Sequence, residues 1–144
     1  VDLTDGPNLV WFDTEHLRRV LINLLDNARR FSSTQTDAIQ VYLGVSKNVA
    51  TAAENIRLCV WSDGEPLEPS VEQHLFEPFF SSDSRSSGLG LYICRELCES
   101  HAASMTYDRC TRLIQQKNRS GNEFSVVFGV HLPGKPVEIG GAAA

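Results

Sequence analysis

The chain has 144 residues, 42% of them hydrophobic, and a formal net charge of −5. That length supports one domain with a proper core. The composition excludes a disordered chain, and the acidic balance argues against nucleic-acid binding, which needs a basic surface. No apolar run approaches the ~18 residues needed to cross a bilayer, and no signal peptide is visible. The chain begins at Val1 and ends in GGAAA, so it is expected to be an excised piece of a longer protein. Cys59, Cys94, Cys98 and Cys110 form no CxxC pair, which argues against zinc. They read as small buried hydrophobes and fit a reducing compartment.

In chain order, Leu9-Val10-Trp11-Phe12 reads as a short strand. Asp13 or Thr14 then caps a helix with Glu15 in its first turn. Leu17, Val20, Leu21, Leu24, Leu25 and Ala28 form its apolar stripe, and the helix ends near Phe31. Alternation predicts strands over 39–45 and 56–61, paired as a hairpin around a turn at 46–54. SDGEPLEPS breaks the pattern, and Val71–Leu75 allows one helical turn. A helix is predicted from Gly88 or Leu89 to about Ala102, with Gly90, Ile93, Cys94, Leu97, Cys98 and His101 on one face. Strands are expected over 104–108 and 123–132, with QQKNRSGN between them as a turn. The expected domain is 1–132, and the Pro/Gly/Ala-rich tail 133–144 is expected to fray. Segregated strands and helices, with more hairpins than crossovers, predict an α/β two-layer sandwich. Its sheet is mixed and mainly antiparallel, with helices on one face.

Two features point to chemistry. Asn23, Asn27 and Arg30 lie at i, i+4 and i+7, on a stripe roughly 100° from the apolar one and so at the rim of the buried face. Such a stripe can be a plain solvated edge, but Asn is a middling helix former and two of them four apart are unusual. An Asn carbonyl suits Mg²⁺, and Arg offers a fixed fork to phosphate. The stretch SSGLGLYIC, residues 86–94, places Gly88 and Gly90 at a helix start, where free N–H groups and the dipole favour anions. Alone it reads as a flexible loop before a helix; together with the Asn/Arg stripe it reads as a phosphate site.

Four segments resemble the boxes of the sensor histidine kinase ATP-binding domain. LRRVLINLLDNARRFS (17–32) resembles the N box, and SDGEP (62–66) stands where the first glycine box would be. LFEPFF (75–80) resembles the F box, and SSGLGLYICREL (86–97) the second glycine box. They occur in the family's order over about residues 9–132, and a narrower similarity is to PilS-type sensors. The resemblance implies the Bergerat fold of the superfamily that includes DNA gyrase and the large heat-shock chaperones. It implies ATP and Mg²⁺ as cofactors, with Asn27 on the metal and Arg30 facing the phosphates. Phe31 would lie against the adenine. Ser87, Gly88, Leu89 and Gly90 would wrap the phosphates, and 81–87 would be a short lid in which Arg85 reaches the γ-phosphate or is a solvated charge. Asn23 stands where hydrolysing relatives carry a general base. An amide cannot take a proton at neutral pH, so no residue is expected to act as base and ATP should be held for transfer.

None of His16, His74, His101 and His131 sits in a phospho-accepting context, so the acceptor is expected on a separate dimerisation domain, with a response regulator downstream. The chain itself is not expected to span a membrane or bind nucleic acid. The resemblance implies a cytoplasmic place in a parent anchored in the bacterial inner membrane. The sequence departs from the family at Ser86, which replaces a glycine. It also departs at the first glycine box, where Gly64 aligned on the first glycine puts Ser62 at the adenine-reading Asp and Pro66 at the second glycine. A slip would put Asp63 there instead, but it would turn every neighbour to the opposite face. Ser62 and Pro66 motivate an alternative, a degenerate module of the same fold that acts through protein contacts. A hydrolysing ATPase of the superfamily is a third reading, disfavoured by Asn23.

Overall fold

The computed structural model describes residues 2–3, 10, 12–47, 54–80 and 89–129. A helix α1 spans Thr14–Phe31, with Asp13 as its N-cap. The Asp13 carboxylate accepts from the His16 amide at 3.0 Å, satisfying one of the donors a helix start leaves open. Glu15 in the first turn and Arg29 and Arg30 in the last suit the helix dipole. Strands β2 (Ile39–Lys47) and β3 (Glu54–Ser62) pair antiparallel, Val41 opposite Val60. A short α2 (Pro69–Gln73) and a longer α3 (Gly90–Ser100) follow. Strands β4 (Ser104–Ile114) and β5 (Lys117–Val127) close the chain as a second hairpin. A two-residue β1 (Asp2–Leu3) adds parallel to β2, giving the order β1-β2-β3-β5-β4.

The predicted two-layer sandwich is what forms. Val20, Leu24 and Ala28 of α1 and Cys94 and Cys98 of α3 bury one face against Val60, Phe124 and Val126 of the sheet. Each large side chain buried in this way contributes about 1.5–3 kcal/mol. Burial pushes the Cys94 thiol up to about 11 and the Cys98 thiol to about 12, so both are inert core groups. His101 stacks on Phe12 at 4.1 Å, with His16 edge-on at 5.1 Å.

Two expectations are corrected. Val10 and Phe12 lie outside any strand, and the sheet's extra edge is Asp2–Leu3 instead; Leu9 and Trp11 lie outside the described residues. Phe12 packs as a core plug under His101, which explains its apolar character without strand pairing. The second correction is larger. QQKNRSGN is not a turn: only Gln115 and Gln116 turn, both at left-handed φ (50° and 64°), and the two strands run eleven residues each. Gln-Gln carries no turn signal, because such two-residue turns favour Asn or Gly. The β3 partner residues Trp61 and Ser62 fix the register from the side, opposite Glu123 and Asn122.

The far face of the sheet is not empty. Trp61 is fully buried there and donates from Nε1 to the Cys110 carbonyl at 3.3 Å. Gly121 passes so close that a Cβ would meet the Trp61 ring at 2.4 Å and the Ser62 carbonyl oxygen at 2.3 Å. Beside it, Arg112 ion-pairs with Glu123 and lies 4.3 Å over the Tyr42 ring. The 133–144 tail and the turn between β2 and β3 lie outside the described residues.

Candidate functional site

Helices α1 and α3 pack against each other and run in opposite directions. Near the end of α3 the His101 ring meets His16, and one turn into α3 the Cys94 thiol reaches the Val20 carbonyl at 3.7 Å and the Asn23 side chain. Continuing back one turn brings the start of α3 alongside the turn of α1 that carries Asn27. Leu89 at that start makes no side-chain cap hydrogen bond, and among the described residues a Cβ at Gly90 would meet no atom within 4 Å. Asn27 is half-buried and Arg30 exposed on the adjoining rim. Asn23, Asn27 and Arg30 of α1 thus lie toward the end of the helix pair at which Leu89 and Gly90 begin α3. Arg85, Ser87 and Gly88 lie outside the described residues.

The other end forms where β3 leaves the sheet beside the last turn of α1. Phe31 is 42% exposed there, a large aromatic face left bare. Gly64 is the closest approach: a Cβ would stand 2.9 Å from the Phe31 carbonyl oxygen and 3.1 Å from the Asn122 amide nitrogen. Only glycine lets β3 exit against the helix end at that separation. Ser62 is 5% exposed and opposite Ile39 and Asn122, so it shares the face of Val60, under the helices. Asp63 turns the other way. Its carboxylate accepts from the Ser33 amide at 2.9 Å and the Ser33 hydroxyl at 2.6 Å, and it ion-pairs with Arg119. Burial works against the charge, but Ser33 and Arg119 outweigh it and hold the Asp63 carboxyl below its ordinary value. The structure therefore separates neighbours that the sequence placed together: Ser62 faces the helices, and the Asp63 carboxylate is occupied.

Several residues here carried no signal in the sequence. Asn122 is 6% exposed and fully engaged. Its Oδ1 accepts from the Tyr107 hydroxyl at 2.7 Å and Arg109 at 3.3 Å, and its Nδ2 donates to the Glu65 carbonyl at 2.9 Å. Arg109 also donates to the Gly64 carbonyl at 2.5 Å. These residues sit on the hairpin whose outer half is expected from the sequence as loop and turn; β5 starts six residues earlier than expected and ends at Val127 rather than at residue 132. DRCTRLI mixes charged and apolar residues on both faces of its strand, so alternation gave no signal that could have found them.

The model of the family described as histidine kinase-, DNA gyrase B-, and HSP90-like ATPase matches residues 12–134. The chain belongs to this family. The sensor protein kinase PilS of Pseudomonas aeruginosa is 33% identical over 116 residues, 81% of this chain and 20% of that protein. Among solved structures, a mycobacterial sensor histidine kinase, MprB, matches at a TM-score of 0.61 with 24% identity, covering 83% of this chain and 75% of that one. Full-length ShkA, in complex with AMPPNP, matches at 0.54 with 25% identity, covering 78% of this chain and 21% of that one. The histidine-kinase resemblance read from the boxes and the sandwich fold are thus borne out. The chain spans about a fifth of the length of PilS. Among the described residues no helix is long and apolar enough to cross a membrane.

The residues present fit a magnesium nucleotide of the kind this ATPase family implies. Asn27 offers a half-buried carboxamide for which no partner is found among the described residues, one turn from the Arg30 guanidinium. The antiparallel packing of α3 runs its start toward this turn, and the exposed Phe31 ring closes α1. Asn27 would hold the metal, which when bound neutralises phosphate charge.

Proposed function

We propose that this chain is the catalytic unit of a two-component sensor kinase. It holds Mg-ATP and donates the γ-phosphoryl group to a histidine on a separate dimerisation domain, from which a response regulator takes it. In the transfer the β–γ phosphoanhydride bond breaks, a P–N bond to the imidazole forms, and ADP leaves. The observation that supports the reading is the antiparallel packing of α3 on α1, in which Cys94 meets Val20 and Asn23 and the start of α3 runs toward the Asn27 turn. Arg30 and the α3 amides orient the phosphates, and Phe31 supports the base. Phosphoryl transfer asks mainly for positioning and charge neutralisation. Asn23 engages the Cys94 thiol and, being an amide, takes no proton from water, so the phosphoryl group is kept for the acceptor. The reading carries with it a cytoplasmic location, in a parent held in the bacterial inner membrane.

Calorimetric titration with a non-hydrolysable ATP analogue, with and without Mg²⁺, tests the first half. Addition of a histidine-bearing dimerisation domain in trans tests the second. Label should pass to that domain, with negligible release of phosphate by the chain alone. A chain that binds no nucleotide would favour the degenerate-module alternative, for which Ser62 and the engaged Asp63 carboxylate are the specific grounds.

A further inference from the structure

We infer that the Asp63–Arg119 pair is a positioning clasp, holding the β4–β5 hairpin against the loop after Phe31 and thereby setting the base end of the site. The inference rests on the nucleotide reading above.

The clasp has three strands of contact. Arg119 pairs with Asp63 and donates from Nη1 to the Thr36 carbonyl at 2.9 Å. Asp63 holds Ser33 by its carboxylate and the Ala38 carbonyl by its amide, at 2.9 Å each. Farther out, Gln115 donates from Nε2 to the Asp37 carboxylate at 2.7 Å. Every contact falls on residues 32–38, directly after the Phe31 ring, or on Asp63, between Ser62 and Gly64. The ionic side chains are 8% and 16% exposed, so removing one leaves the other buried without its countercharge. Asp37 and Gln115 both stand at left-handed φ, 59° and 50°. Backbone of that kind persists only where the surroundings over-determine it. None of these residues belongs to the core packed around Phe12, Leu24, Val60 and Val126, which stands without them. What the clasp fixes is the edge that Phe31, Ser62 and Gly64 share.

The test compares Asp63→Asn and Arg119→Met with the wild-type chain, titrated with a Mg-bound ATP analogue and, by competition, with Mg-bound inorganic triphosphate. Both variants should weaken the ATP analogue about tenfold, the worth of one charge-assisted hydrogen bond. Triphosphate, which touches only the phosphate end, should change by less than about twofold, and Arg119→Lys should recover most of the loss. Should both variants fail to fold, Gln115→Ala releases only the outer contact and is expected to weaken the ATP analogue about twofold, again sparing triphosphate. Equal weakening of both probes would mean general loosening and would overturn the clasp. So would unchanged affinity in folded variants. Loss in Asp63→Asn with none in Arg119→Met would make Asp63 a direct base contact and overturn it too. A wild-type chain that binds neither probe sinks the nucleotide reading, and the clasp with it. A wild type that binds both while the variants match it sinks the clasp alone.

Discussion

At the end of the proposed nucleotide site shared by α1 and α3, the proposed binding groups come from within two helices: Asn23, Asn27 and Arg30 on one, Gly90 at the start of the other. At the end where β3 leaves the sheet they come from four segments, namely the end of α1, the loop after it, the exit of β3 and the long hairpin. The first end is set by helical periodicity and is hard to alter without losing the helix. The second is assembled from distant pieces, and there the chain departs from the family: a serine stands where a carboxylate is expected, and the nearest carboxylate is tied to an arginine. On the proposed reading the difference teaches that phosphate binding is local to the sequence here, whereas base recognition depends on tertiary structure.

The largest break should come at the helical end. Asn27→Ala is expected to abolish Mg²⁺-dependent nucleotide binding, a loss of about a hundredfold or more, with an unchanged circular dichroism spectrum, because the site is on the rim and not in the core. Retained Mg-ATP affinity would put the metal elsewhere. Next come the two glycines, which should respond in opposite senses. Gly64→Ala puts a methyl 2.9 Å from the Phe31 backbone oxygen, so its melting temperature should fall by about 5 °C or more. Gly90→Ala meets no neighbour and removes a poor helix former, so its melting temperature should hold or rise while Mg-triphosphate affinity drops about tenfold. Parallel responses would erase the distinction between the two ends.

A smaller effect sharpens the comparison. A hydroxyl at Ser62 accepts or donates, whereas a carboxylate only accepts and makes the stronger hydrogen bond. Wild type should therefore bind ATP weakly and discriminate poorly against GTP. Ser62→Asp should tighten ATP about fivefold and sharpen that preference, as read by competition of the two nucleotides. The smallest effect is acid sensitivity. Because the folded Asp63 carboxyl lies below its ordinary value of 3.8, the clasp contributes stability above that value and loses it as pH falls through the folded one. Thermal melts from neutral pH down to about pH 3 should therefore decline more steeply in wild type than in Asp63→Asn. Parallel curves would remove Asp63 from the acid response.

The same split governed what could be read from the sequence. The apolar stripe of α1 and its Asp13 cap are periodic and local, so they were legible almost to the residue. So was the helix after SSGLGL, within two residues at either end. The alternation of β2 and β3 gave both strands and the face of Ser62. Illegible were the features fixed from a distance. The outer half of the β4–β5 hairpin is polar, turns on two glutamines, and is held by Trp61 and by the loop after α1. Arg119 is one charge among several until Asp63 is seen opposite it, and Asn122 reads as a turn residue in RSGN until Ser62, Tyr107 and Arg109 surround it. Phe12 looked like part of a strand because a buried ring and a strand residue carry the same hydrophobic signature.

The clasp joins residues 56 and 83 positions apart in the chain. Closing loops of that length costs entropy before any contact repays it. Helix α1 and each hairpin can form from near neighbours, but the edge around Gly64 exists only after the second hairpin has docked on the first. That ordering predicts that the edge around Gly64 assembles last and opens first. In hydrogen exchange the amides of Ser33 and Asp63 should exchange together and well ahead of those in the middle of α1.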